Sequence, residues 1–171
     1  MKANVQIHMR ARVPILKMLV DETSLNHALG EIASWQDTSI GHYICVSNVH
    51  MCMETWDDRQ FEQVINHADM VVPDGLPIYW GQRLLGHKSG EHIRGLDLTL
   101  KLCELANDQR IAVGFYGGTE ETLDKLGSRL KAEFPELPIK LKVSPPFRPL
   151  TAEEKAADVA AKPAASNDNS P

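Results

Sequence analysis

The chain has 171 residues, 43% of them apolar, with a net charge of −5, three cysteines and no cluster of lysine and arginine. That is enough for one domain with a core of its own and too little for two. The charge excludes a nucleic-acid protein, because binding a phosphate backbone needs concentrated Lys and Arg.

Residues 1–12 are mixed and basic with no period, and read as a flexible lead-in. Arg10, Arg12 and Lys17 break up the early apolar run, so it is neither a secretory leader nor a membrane span. Val13 to Leu16 and Met18 to Val20 predict a short edge strand, where Pro14 is tolerated. Asp21-Glu22-Thr23-Ser24 then starts a helix, with Leu25, Ala28, Leu29, Ile32, Ala33 and Trp35 on one face. His42 to Ser47 is a nearly continuous apolar strand, the pattern of a strand covered on both faces. Asn48 and His50 follow its carboxyl end. Met51, Met53 and Trp56 read as core residues, and a short helix from Asp57-Asp58 is expected to turn Phe61, Val64 and Ile65 inward.

Met70-Val71-Val72 is a strand that breaks at Pro73-Asp74-Gly75 and resumes as a helix with Ile78, Trp80, Leu84 and Leu85 at helical spacing. Gly75 permits a tight turn, and Pro77 suits the first turn of the helix. Asp74 therefore stands at a strand-to-helix switch, either capping that helix or facing a ligand beyond the strand ends. A glycine-bounded loop, 86–90, leads to Arg94, whose planar donor fork suits a phosphate or an ion pair with Glu91 or Asp97. His67, His87 and His92 lack a metal-ligand register, so no metal is assigned. A helix follows from Leu96 to about Asn107, then a strand over 110–116.

Gly117-Gly118-Thr119 precedes a long helix with Leu123, Leu126 and Leu130 inward. Two glycines before a helix N-terminus let backbone N–H groups approach an anion, and the same triplet is also an ordinary turn with a threonine cap. Gly114, Gly117 and Gly118 do not make GxGxxG, and no Walker lysine follows. Residues 137–143 predict a further strand, and 144–151 a stiff, proline-rich connection. Thr151-Ala152-Glu153-Glu154 is a capping box, after which 155–171 has the composition of a disordered tail. Cys45, Cys52 and Cys103, without CxxC spacing, read as reduced and packed in a cytoplasmic protein.

The order of elements predicts a single α/β domain with a Rossmann-like, doubly wound, mostly parallel sheet. Asn48-Val49-His50, Asp69 through Pro77, Arg94-Gly95-Leu96-Asp97-Leu98, Tyr116 to Thr119 and Ser144 to Leu150, in that order, resemble the WecG/TagA/CpsF family of bacterial glycosyltransferases. The resemblance runs from about Val13 to Glu154. It implies transfer of an N-acetylmannosamine-type or related sugar from a UDP-sugar to an undecaprenyl-diphosphate-linked acceptor, in surface polysaccharide synthesis at the inner face of the plasma membrane.

By the same resemblance Asp74 is the general base of an inverting, metal-independent transfer with no cofactor. Asn48, His50, Gly75, Arg94 and Asp97 are substrate-binding, and Gly117, Gly118 and Thr119 belong to the nucleotide side. Two departures follow. Val46 stands where some members have threonine. The longer members also continue through a further strand and a basic membrane-docking appendage, so the 13–154 domain is expected to be incomplete at its C-terminal end. An uncovered sheet edge predicts a homo-oligomer. The alternative reading is a non-catalytic binding or regulatory module on the same core.

Overall fold

The computed structural model describes residues 10–37, 40–146, 148 and 151–153. Most of the lead-in and nearly all of the 155–171 tail lie outside the described residues, as does the helix expected after Thr151 beyond Glu153. The expected edge strand is a hairpin. β1 (Arg12–Ile15) pairs antiparallel with β2 (Met18–Asp21) around a turn in which Leu16 takes φ 55°. The hairpin is core, because Val13, Met18 and Val20 are fully buried. The lead-in is also shorter than expected, since Arg12 already belongs to β1 and ion-pairs with Asp21.

Ser24 caps α1 (Leu25–Ser34), its hydroxyl accepting the His27 N–H, and one 3₁₀ turn follows at Trp35–Asp37. β3 (Ile44–Ser47) runs parallel to β4 (Met70–Pro73), with Ser47 opposite Pro73. Between them α2 (Val49–Asp57) and α3 (Arg59–Asn66) are capped by Asn48 and Asp58. Of these two, α2 is not among the expected elements. Its 3.6-residue spacing leaves Met53 and Trp56 exposed, against the core role predicted for them, while Cys52 and Thr55 are buried. In α3, Phe61 and Ile65 turn inward and Val64 is exposed, correcting the expected face.

α4 (Leu76–Leu84) buries Ile78 and Gln82, and the rest of its predicted apolar face points to solvent. Leu84 is 88% exposed, with Trp80 and Leu85 exposed beside it. The reason is that Gly81 packs against Ile15, with room for no Cβ without contact at 3.1 Å, so the hairpin selects a different stripe of the helix. α5 (Gly95–Gln109) leads through Arg110, in the left-handed region at φ 56°, to β5 (Val113–Tyr116). α6 (Glu120–Glu133) returns the chain to β6 (Ile139–Val143), parallel to β5. As expected, Leu123 and Leu130 of α6 are buried.

β4 alternates. Val71 enters one apolar cluster with Met18, Val20, Cys52, Ile65 and Ile78, whereas Met70 and Val72 enter another with Ala28, Ile93 and Leu98. The β3–β4 pair thus has helices on both faces. The chain is a mixed α/β protein, and its described ladders are three two-stranded pieces: β1–β2, β3–β4 and β5–β6. Cys52 and Cys103 are buried, Cys45 is half-buried, and all three are free thiols. Among the described residues no helix is long and apolar enough to cross a membrane.

Candidate active site

The carboxyl ends of β3 and β4 lie side by side, and there the chain concentrates polar groups. Ser47, fully buried, ties the two ends together. Its hydroxyl donates to the Val72 carbonyl at 2.8 Å, and its own carbonyl accepts the N–H groups of Asp74 at 2.9 Å and Gly75 at 3.0 Å. Gly75, not Asp74, is the N-cap of α4, so the local capping role open to Asp74 is not the one it takes. Its Oδ1 instead accepts the Gly95 N–H at 2.8 Å, which is the first amide of α5. Asp74 therefore caps a helix 21 residues away, facing the positive end of its dipole. Its second oxygen takes no hydrogen bond among the described residues.

Asn48 closes one wall. A Cβ added at Gly75 would stand 3.2 Å from the Asn48 Cα, so only glycine admits this approach without a shift. Asn48 Oδ1 is occupied as the cap of α2, accepting the Met51 N–H at 3.0 Å. His50 is exposed on the first turn of the same helix.

Arg94 and Asp97 form the other wall, as a bidentate pair at 2.7 and 2.8 Å. The bond to Asp97 raises the Arg94 pKa, with its charge and that of Asp74 adding to the shift, and the same bond holds the Asp97 carboxyl below its ordinary range. Of the two roles open to Arg94, the structure therefore selects the ion pair. The Arg94 side chain is nevertheless 62% exposed, so a ligand can reach it.

The glycine turn is built separately. Gly117 and Gly118 take φ 119° and 70° at the end of β5, where the Gly117 N–H donates to Val143 and the Ser144 hydroxyl donates to Gly118. Thr119 caps α6 through the Thr122 N–H, and Glu120 and Glu121 fill its first turn. Two carboxylates thus already answer that helix dipole. The hydrogen bonds of this turn go to the β6 end and to its own helix, while those of Asp74 go to the β3 end and the 92–95 segment.

His92 has no metal register in the sequence, yet its Nε2 donates to the Asp74 carbonyl. Ser47 likewise carries no sequence signal beyond ending a strand. A histidine three residues ahead of a helix start and next to a buried isoleucine is the one local cue for the first.

Over residues 13–167 the chain matches the model of the glycosyl transferase WecG/TagA/CpsF family. It is similar to an N-acetylglucosaminyldiphosphoundecaprenol N-acetyl-beta-D-mannosaminyltransferase of Bacillus spizizenii, 27% identical over 106 residues that cover 62% of this chain and 41% of the relative. A protein of the same name from Bacillus subtilis is 24% identical over 103 residues, covering 60% of this chain and 40% of the relative. The match thus spans about two fifths of the curated relatives' length. With Asp74 inside the matched stretch, the chain belongs to the WecG/TagA/CpsF family of glycosyl transferases.

Proposed function

We propose that this chain transfers an N-acetylmannosamine-type or related sugar from a UDP-sugar to an undecaprenyl-diphosphate-linked acceptor. The site is the crevice at the ends of β3 and β4, within a 13–154 domain built as part of a Rossmann-like, doubly wound sheet. One observation carries the reading. A carboxylate at a strand-to-helix switch has one oxygen fixed on the Gly95 amide and the other open, as a general base needs. Asp74 takes the proton from an acceptor hydroxyl while that oxygen attacks the anomeric carbon and the bond from that carbon to the UDP oxygen breaks. The β linkage in the relatives' names is what inversion of an α-linked UDP-sugar yields.

Asn48, His50 and Gly75 line the acceptor side. Arg94, positioned by Asp97, meets the diphosphate, and Gly117, Gly118 and Thr119 serve the nucleotide side. Neutralisation of the leaving group by arginine and helix N-termini requires no divalent ion. A lipid-linked acceptor calls for peripheral contact with the inner face of the plasma membrane. Exposed Trp80, Leu84 and Leu85 along α4 support a homo-oligomer, which sedimentation at rising concentration tests; a constant monomer mass of 19.0 kDa removes it. The pairing of Arg94 with Asp97 and the acids at the start of α6 favour a second reading, a non-catalytic binding module on the same core.

The deciding experiment titrates the protein with UDP by calorimetry, then assays transfer from UDP-N-acetylmannosamine to an N-acetylglucosaminyl-diphosphate lipid. Asp74→Asn is expected to lower turnover by about 100-fold or more, with UDP affinity within about twofold. Wild-type turnover in that variant removes Asp74 from the mechanism. Absence of UDP binding to the folded protein selects the module.

A further inference from the structure

We infer that His92 is the positioning residue of Asp74, acting through the backbone of the turn rather than on substrate. This rests on the reading of Asp74 as the general base. The segment 92–95 runs beside 73–74 as a strap with three bonds to it. His92 Nε2 donates to the Asp74 carbonyl, the Ile93 N–H donates to the Pro73 carbonyl at 3.0 Å, and the Gly95 N–H donates to the Asp74 carboxylate at 2.8 Å. The strap is anchored from below, since Ile93 is buried in the same cluster as Met70 and Val72. At its start the Glu91 N–H donates to Thr23, and the Glu91 carboxylate accepts the Leu25 N–H at the head of α1.

Without the His92 bond the strap would fix only the Pro73 carbonyl and the carboxylate of Asp74. The peptide between Asp74 and Gly75 would then be held on one side alone, by the Gly75 N–H on the Ser47 carbonyl, and the looser turn would let the carboxylate shift off the Gly95 amide. The imidazole suits this task because it is rigid and reaches the carbonyl with its far nitrogen. A carbonyl only accepts, so Nε2 carries the hydrogen and, in the neutral ring, Nδ1 does not. The ring is steadied by Tyr79 of α4, with centroids 6.0 Å apart at an interplanar angle of 41°. His92 thus joins the strap to the helix that begins just after the base.

The first test needs no variant. Nitrogen-15 NMR of the imidazole is expected to show His92 protonated at Nε2, and the opposite tautomer overturns the assignment. His92→Phe then keeps a ring beside Tyr79 and removes the donor, while His92→Gln returns an N–H near the same place. In His92→Phe the Gly95 amide proton is expected to move upfield and exchange about tenfold faster or more. Turnover should fall by about tenfold or more with KM for both substrates within about twofold, and His92→Gln should recover both readouts. A Gly95 amide unmoved in a folded His92→Phe protein overturns the proposal, whether or not the chain transfers sugar. If the amide responds as expected but Asp74→Asn leaves transfer unchanged, the general-base reading falls and His92 remains the residue that sets the turn.

Discussion

Asp21 and Glu22 are chain neighbours with different partners, and the difference governs how each responds to change. Asp21, 1% exposed, takes the Val71 N–H at 2.6 Å and the guanidiniums of Arg10 and Arg12. Glu22 reaches the 86–90 loop instead. Hydrogen bonds from Ser89 and then from His87 hold its carboxyl well below the usual range, at about 2, against the upward push of burial. A depressed folded pKa contributes stability above the ordinary carboxylate value and loses it as pH falls through the folded one. Glu22→Gln should therefore lower the thermal midpoint at neutral pH. Its deficit against wild type should shrink as pH falls from about 4.5 toward about 2; a deficit that does not vary over this window would show that the bonds do not depend on the charge. At Gly75 the obstacle to a side chain is the Asn48 backbone, which cannot move aside cheaply. Gly75→Ala should cost about 1–3 kcal/mol in urea unfolding. At Gly117 the cause is φ 119° rather than crowding, and Gly117→Ala should also cost about 1–3 kcal/mol.

At the scale of elements, side chains tie the hairpin to its neighbours, Asn66 from the end of α3 and Asp21 from β2 to β4, where no described ladder does so. The Asn66 amide accepts the Leu19 N–H and donates to the Lys17 carbonyl, both at 2.9 Å, while Asp21 takes the amide of Val71. Asn66→Ala removes one partner from each bond and should cost about 1–3 kcal/mol, read as a shift in the urea midpoint. Gly30, inside α1 with nothing within 4 Å of where a methyl group would stand, is the opposite case. Gly30→Ala should stabilise by about 0.4–1 kcal/mol, because it narrows the unfolded ensemble and suits the helix; a loss of stability would mean that the α1 surface is not open there. Most helices were legible from period and caps: Ser24, Asp58 and Thr119 each sit where their hydroxyl or carboxylate answers a first-turn amide. The inward stripe of α4 was not legible. Gln82 is buried and donates to the carbonyls of Val20 and Asp21, both at 3.2 Å, and no hydropathy pattern predicts an inward glutamine.

At the scale of the molecule, α5 is shared between two apolar clusters. Leu98 and Leu102 pack with β3, β4 and α1, and Cys103 and Ala106 pack with Leu130, Leu137 and the β5–β6 pair. Leu130→Ala, at a site 1% exposed, should cost about 2–5 kcal/mol. If α5 couples the two clusters, chemical unfolding should remain a single transition in that variant. Two separated transitions would show that the halves unfold independently. The sequence by itself determined the kinds and order of most elements, α2 and the hairpin excepted, and the place of Asp74 at a strand-to-helix switch. These follow from hydropathy period and turn chemistry, which act over a few residues. Only the tertiary structure decided that the Asp74 carboxylate meets the Gly95 amide, that Arg94 pairs with Asp97, that His92 holds the Asp74 turn and that Trp80 and Leu84 face outward. Side-chain geometry selects among alternatives that local pattern leaves open. The bonds to Asp74 join segments 18 and 21 residues apart, and the hairpin that turns α4 lies further still along the chain.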